Sequence, residues 1–467
     1  MERKPNVVFI FTDDQRFDAF GASGNSEIIT PNLDRLVEKG TMFTHAHIPS
    51  GTSSAVCMPS RAMLNSGRSL YHIADCGQSI PMEHTTIAEV FRSNGYRTFG
   101  TGKWHNGREA YHRGFTDGDE IWFGGWFDHW NAPAFHFDPS GKYASTIPLI
   151  SRPWESNEVT ERPADHITPG KHSTDLIADA SIDFIEKSNQ EEAFYMYVSF
   201  LAPHDPRSMP KKYLDMYEGR KITLPENFTG GHSFDNGELY VRDEKLAPFP
   251  RTPENTLRHI KEYYAMITHV DERVGDIIKA LEKKGILEDT IIVFSADNGL
   301  AVGQHGLFGK QNCYEHSVRV PLVFAGPGIP AKIQTDAYVY LFDIFPTLCE
   351  LTGMKTPPSV EGKSFAGVIK KTEKEFRDKL YFGYKACQRA VKDRRFKLIE
   401  YVVDGRNNMT QLFDLQDDPR ETRNLAFNTK HKEKVEELRG DMLKFRDEWD
   451  DNLETFGKTF WEGFSSR

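Results

Sequence analysis

Six short stretches carry residue types able to do chemistry, and four of them follow an apolar run. Asp13 and Asp14 come directly after NVVFIF (6–11), and Lys103 and His105 stand in GTGKWH after the run at 95–100. His204 ends the APH that follows AFYMYVSFL, and Asp297 and Asn298 follow IIVFS. Lys310 lies in HGLFGK, and Cys57 opens CMPSR, with Pro59 two positions on and Arg61 four. Asp13, Asp14, Asp297 and Asn298 offer hard oxygens with neither Cys nor His among them, a set suited to Ca2+ or Mg2+ rather than zinc. Arg61, Lys103, His105, His204 and Lys310 are cationic or hydrogen-bond donors. A divalent cation ringed by such groups suits a tetrahedral oxyanion ester: positive charge neutralises nonbridging oxygens, and a histidine protonates the leaving alkoxide. Singly, each group has a plainer reading as a solvated turn, a structural histidine or a surface lysine. Cys57 reads equally as a small buried hydrophobe, a thiolate nucleophile or the precursor of another group.

Joint placement favours the functional reading. NVVFIF, GYRTFGTG (95–102), AFYMYVSFL (193–201), IIVFSAD (291–297) and PLVFAGPG (321–328) read as buried strands separated by helical patterns. One such pattern is LIADASIDFIEK; another runs from about Asn255 to Lys284 and is closed by Gly285. The alternation predicts an α/β fold with a large, doubly wound, mixed but mostly parallel sheet flanked by helices. In such sheets ligands bind beyond the carboxyl ends of the strands, where the titratable groups fall. After residue 354 the pattern changes to short strands (KLYFGY, RRFKLIEYVV, QLFDL) and a charged helix from Lys430 to Trp449. We expect a catalytic domain over 1–354 and a smaller α+β domain with an antiparallel sheet over 355–467. The aromatic stretch IWFGGWFDHWNAPAFHFD (121–138) reads as a long functional loop.

A chain of 467 residues exceeds one ordinary core, which supports two domains. Net charge is −10, with no long basic run, which argues against nucleic-acid binding but not against an anionic small substrate held by a few converging cations. Five cysteines without CxxC spacing exclude a disulfide framework or a thiolate metal site. No run reaches the ~18–20 apolar residues that span a bilayer. MERKPNVVFIFTDD has no signal-peptide pattern, so we expect a mature periplasmic or secreted chain whose signal is removed, with the cytoplasm as the alternative.

CMPSRAMLNSGR (57–68) resembles the signature of the type I sulfatases of the alkaline-phosphatase-like superfamily: Cys or Ser, any residue, Pro, any residue, Arg, then Ser/Thr-Gly-Arg. GYRTFGTGKWH (95–105) resembles the second signature. NVVFIFTDDQ, TPNLDRLVEKG, APH, FSADNGLAVGQHGLFGKQNCYEHSVRVPLVFAGPGI and QLFDLQDDPRETRNLA extend the resemblance over most of the chain. Asn298 follows the family's DN variant rather than DH.

The resemblance implies that a maturation enzyme oxidises Cys57 to formylglycine, whose hydrate is a geminal diol. It implies that Asp13, Asp14, Asp297, Asn298 and the modified residue 57 bind the cation, usually Ca2+. Arg61 then holds the diol and Lys103 and Lys310 bind sulfate oxygens. His204 protonates the leaving oxygen, and His105 assists breakdown of the enzyme-bound ester. The diol attacks sulfur in line, and its second hydroxyl later expels sulfate by C–O cleavage, a release that serine or an unmodified thiol would lack.

Similarity of CMPSR and GREAYHRGF to bacterial carbohydrate sulfatases sets the substrate expectation. That expectation is an exo-acting enzyme on a sulfated glycan fragment, with removal of a 2-O-sulfate from a uronic acid as its specific form. Trp122, Trp126, His129, Trp130 and His136 are candidate sugar-pocket walls, and Lys171 and His172 candidate carboxylate partners; packing is the alternative for each. Two other readings stand beside this one: a phosphonate monoester or phosphodiester hydrolase of the same superfamily, and a non-catalytic glycan-binding protein.

Overall fold

The computed structural model describes residues 4–150, 152 and 154–465. Its centre is an eight-stranded sheet in the order Ile333–Thr335, Gly40–Phe43, Leu322–Ala325, Thr290–Ala296, Asn6–Thr12, Phe194–Ser199, Arg97–Lys103, Asp117–Trp122. The last five of these run parallel, and Leu322–Ala325 is antiparallel to both its neighbours. The sheet is therefore mixed and mostly parallel, as expected.

Both faces are buried, which explains the continuous apolar runs. Side chains alternate along a strand with period two. Val8 and Ile10 face helices Ser173–Lys187 and Pro253–Lys284 through Ile177, Phe184, Met266 and Val270. Val7, Phe9 and Phe11 face the other way, against Ala62, Met63 and Leu64 of helix Cys57–Ser66. The 32-residue helix Pro253–Lys284 starts two residues before the expected Asn255. The Thr252 hydroxyl accepts from Asn255 N, Pro253 fills the first turn, and left-handed Gly285 ends the helix.

The C-terminal sheet orders Arg406–Asp414, Phe396–Val403, Gln388–Lys392, Leu380–Tyr384 and Ser50–Gly51, antiparallel except for the last pair. Helix Lys432–Glu448 packs on it through Val435, Leu438 and Met442. Its edge strand Ser50–Gly51 comes from just before Cys57, and one apolar cluster runs from Val7 to Phe413. A buried ion cluster also joins helix Glu315–Val318 to the C-terminal sheet. Glu315 lies 2.7 Å from Lys392 and 3.2 Å from Lys397, which in turn lies 3.0 Å from Glu421.

Several strands escape the sequence pattern. Asp117–Trp122 (DGDEIW) is an edge strand in which only Gly118 and Ile121 are buried, so its polar residues hide it. Gln388–Lys392 is fully buried although it carries Gln, Arg and Lys, because Arg389 pairs with Asp451 and Lys392 with Glu315. The stretch 121–138 is only partly a loop: Ile121 and Trp122 end a strand, and Pro133–Ala134 pairs with His166–Ile167.

Candidate active site

Four adjacent parallel strands deliver their following residues to one edge of the sheet. Asp13 continues Asn6–Thr12, and Asp297 continues Thr290–Ala296; Asp297 N donates to Thr12 O and Asp14 N to Asp297 Oδ1. Asp14 is left-handed, with φ 64°, and Tyr263 holds it there: the Tyr263 hydroxyl donates to Asp14 O at 2.6 Å and accepts from Arg16 N. Non-glycine residues in that region persist where surrounding contacts impose them.

Lys103 is the last residue of its strand rather than a residue beyond it. Gly102 before it has φ 80°, and a Cβ there would lie 1.9 Å from Ser199 O, so glycine alone lets the two strands close up at this point. Lys103 Nζ contacts Asp13 Oδ2 and lies 3.4 Å from Cys57 Sγ. His105, also left-handed, places Nδ1 3.7 Å from the same sulfur.

Cys57 is the first residue of helix Cys57–Ser66, so it sits at the positive end of the helix dipole, with Pro59 in the first turn where its missing N–H costs nothing. One turn on, Arg61 is fully buried. Its Nε lies 2.9 Å from Asp297 Oδ2, and its Nη1 donates to Lys103 O at 2.9 Å and to Ser199 Oγ at 2.6 Å. Burial pushes the Cys57 thiol up despite Lys103 and Lys310 nearby.

On the other side, Lys310 Nζ and Asn298 Nδ2 both lie 2.6 Å from Asp14 Oδ1, and His204 Nε2 lies 3.7 Å from Asp14 Oδ2. The structure thus brings Asp13, Asp14, Cys57, Arg61, Lys103, His105, His204, Asp297, Asn298 and Lys310 into one continuous cluster. Burial, with Lys103 and Arg61 next, drives the His105 pKa well below the ordinary histidine value.

A family model described as Sulfatase matches residues 5–354. The chain belongs to the sulfatase family. A second model, described as N-sulphoglucosamine sulphohydrolase, C-terminal, matches residues 303–448 of this sulfatase. It is 30% identical over 471 residues to an arylsulfatase of Clostridium perfringens, with 94% of each chain covered. It is 25% identical over 521 residues to an N-acetylglucosamine-6-O-sulfatase of Bacteroides thetaiotaomicron, covering 96% of this chain and 88% of that one. A solved structure of a protein in complex with its substrate D-glucosamine-2-N,6-O-disulfate matches with TM-score 0.78 at 23% identity, covering 96% of this chain and 99% of the other. At that identity the match shows a shared fold. The protein is an enzyme, a sulfuric ester hydrolase.

The sulfatase's acidic cluster fits a hard cation. Ligand atoms of Asp13, Cys57 and Asp297 lie within 4.8 Å of one another, as do those of Asp13, Asp14 and His204. Buried Asp13 Oδ1 and Asn298 Oδ1 have no hydrogen-bond partner. Burial and the neighbouring Asp13 charge push the Asp297 carboxyl up to about 6. For Asp13, burial is outweighed by Lys103, His204, Arg61 and Lys310, which hold it far below the carboxylate range. Orphaned oxygens and crowded carboxylates together are what a divalent cation relieves.

Sequence reasoning missed the groups that aim this sulfatase's site. Asp205, directly after His204, lies 3.2 Å from His204 Nδ1. Glu244 accepts from Phe308 N and Gly309 N and pairs with Arg251 at 2.7 Å, fixing the loop that carries Lys310. The adjacency of Asp205 was visible in APHD; Glu244 lies 66 residues from Lys310 in a segment without periodicity, which left no signal.

Most proposed pocket walls turn out to be framework. Buried His129 donates from Nε2 to His204 O, and its Nδ1 lies 2.8 Å from Ser173 Oγ, fixing the backbone of His204. His172 caps helix Ser173–Lys187 and stacks on His129, Trp130 packs edge-on against His172, and Lys171 pairs with Asp179. Exposed His136 pairs with Asp119, and Trp122 packs on Phe127.

Proposed function

We propose that this sulfatase removes sulfate from a sulfated carbohydrate, using residue 57 after its conversion to formylglycine together with a Ca2+ held by Asp13, Asp14, Asp297 and Asn298, Mg2+ being the alternative cation. The observation that carries the reading is the setting of Cys57. It lies at a helix N-terminus, within 3.4 Å of Lys103 Nζ and 3.7 Å of His105 Nδ1, beside an acidic cluster with orphaned oxygens, yet its thiol is pushed up. We take this position to be that of an oxygen nucleophile rather than a thiolate.

In this reading the formylglycine hydrate supplies the attacking oxygen. The cation supplies positive charge at the nonbridging sulfate oxygens when bound. Arg61 orients residue 57 from one turn along the helix, and Lys103 and Lys310 draw in sulfate oxygens. His204 hands its proton to the leaving sugar oxygen, and His105 takes a proton from residue 57 as sulfate departs.

The carbohydrate class is supported by the activity named for the Bacteroides relative, an N-acetylglucosamine-6-O-sulfatase. The finer form, exo-acting 2-O-desulfation of a uronic acid, rests on sequence resemblance. Lys171 and His172 are engaged elsewhere, so other groups would read the uronate. Protein exported with its signal removed and matured by a formylglycine-generating enzyme completes the proposal.

Mass spectrometry of the residue-57 peptide from native-host protein tests the mechanism. The peptide should be lighter by about 18 Da, the difference between CH2SH and CHO, and active enzyme with an intact cysteine would overturn it. Parallel assays on sulfate and phosphate esters of one alcohol test the reaction class, where faster turnover of phosphate would favour the phosphoryl-transfer reading.

A further inference from the structure

Of the tryptophan and phenylalanine residues in the stretch 121–138, Trp126 alone is strongly exposed, at 51%. Single exposed hydrophobics are ordinary, and exposure alone says nothing. What distinguishes Trp126 is how it is anchored. The residue before it, Gly125, lies on His105: a Cβ at Gly125 would stand 3.2 Å from His105 Nε2. The guanidinium of Arg242 lies 4.4 Å from the centre of the indole ring, a cation–π contact. Arg242 in turn grips Asp205 with both terminal nitrogens and lies 2.9 Å from Asp243. Asp205 is the carboxylate beside His204 Nδ1, and Asp243 accepts at 2.6 Å from Gln311, the neighbour of Lys310.

The indole is thus tied through its own chain to His105, and through one arginine to His204 and Lys310. It stands on the solvent side of the catalytic cluster, backed by a cation and half open to water. A rigid, half-exposed indole at the mouth of a polar site presents a flat apolar surface to whatever enters. The C–H bonds on one face of a pyranose ring match such a surface.

We infer that Trp126, held by Arg242, is the stacking platform for the sugar ring whose oxygen His204 protonates. The inference rests on the carbohydrate reading above and adds the residue that selects a sugar as the leaving group. Trp126 touches the sugar and takes no part in bond making; Arg242 positions it.

The test begins with wild-type enzyme and a panel of sulfated mono- and disaccharides, followed by Trp126→Ala, Trp126→Phe and, as a control, Phe427→Ala at an exposed aromatic outside the site. On the best saccharide, W126A should raise KM by about tenfold or more with kcat within about twofold, the pattern of lost uniform binding. W126F should recover most of that loss, and F427A should match wild type. Inhibition by inorganic sulfate, which probes the sulfate subsite alone, should be unchanged in W126A. A KM for W126A within about twofold of wild type on a saccharide that wild type hydrolyses would overturn the platform while leaving the carbohydrate reading intact. Equal weakening of sulfate inhibition in W126A would overturn it too, by showing general damage to the site. Wild-type enzyme that cleaves other sulfate esters but no saccharide would overturn the carbohydrate reading, and the platform with it.

Discussion

Arg61 Nε lies 2.9 Å from Asp297 Oδ2, joining the signature helix to a strand end 236 residues later in the chain. The same guanidinium donates to Lys103 O and Ser199 Oγ, so it touches three of the four strand ends that form the site. Its Nη2 lies 3.5 Å from Asp13 Oδ2, the fourth.

Removing that hub leaves buried carboxylates without their counter-charge. Arg61→Ala should cost about 3–5 kcal/mol of stability, as loss of one partner from a buried ion pair does. Arg61→Lys keeps charge but cannot reach Asp297, Lys103 and Ser199 together, because an ammonium lacks the planar fork. It should stay folded and lose most activity. Denaturant unfolding and turnover of a sulfate ester, measured on both variants, check this.

Cation binding should be visible as stability. With ligands following two strands and heading one helix, a cation that binds only the folded chain adds about 2.7 kcal/mol at a hundred times its dissociation constant. Chelation should lower Tm and Ca2+ should restore it. Asp14→Asn should weaken the Ca2+ dependence of Tm, which calorimetry with and without the ion reads directly. A Tm indifferent to chelator and ion would argue against the site.

The loop carrying Lys310 depends on Glu244, which accepts from Phe308 N and Gly309 N and pairs with Arg251. Glu244→Ala frees two buried N–H groups and strands a buried guanidinium, so a loss of about 3–5 kcal/mol is expected. Sulfate inhibition should weaken together with kcat/KM because Lys310 loses its aim. Glu244→Gln, which keeps one acceptor oxygen, should fall between the two.

A pH-dependent contribution is predicted at the segment after the signature helix. Glu361 accepts from Ser69 N and Ser69 Oγ, lies 2.9 Å from His72 Nδ1 and 2.8 Å from Arg68, and Glu361 N and Gly362 N both donate to Gly67 O. Burial raises the Glu361 pKa, but His72 and Ser69 outweigh it and bring it down to about 2. A carboxyl depressed in the folded state stabilises above its unfolded value near 4.5, and that gain is lost as pH falls toward 2. The His72 pKa is raised, chiefly by its hydrogen bond to Glu361, so its share is present below 6.5 and lost as pH rises through the raised value. Unfolding free energies of wild type and Glu361→Gln should differ by about 1 kcal/mol between these limits, a modest figure because the cluster is partly exposed. The two curves should converge below about pH 2.

The parts of the site that lie directly beyond strands were legible because a buried parallel strand is an uninterrupted apolar run, and a charged residue at its end is conspicuous. Asp13, Asp14, His204, Asp297 and Asn298 all stand out in this way. Lys103 was placed past its strand rather than at its last position, since the Gly102 kink looks like a turn in sequence. Edge strands and ion-paired strands were not legible, because Asp117–Trp122 and Gln388–Lys392 carry charges whose partners lie on distant segments.

By itself, the sequence determined the fold class, the family signature at Cys57 and the residue types of the chemical cluster, because these depend on local periodicity and short spacings. Only the tertiary structure decided where the histidines sit. His105 and His204 flank residue 57 and the acidic cluster, whereas His129 and His172 are held in the framework. It also decided that Asp205 sits beside His204, that Glu244 fixes the loop carrying Lys310, and that Arg242 joins Trp126 to Asp205. The physical reason is that positioning groups act across tens to hundreds of residues through buried hydrogen bonds and ion pairs. Those pairings are chosen by packing and leave no spacing in the chain to read.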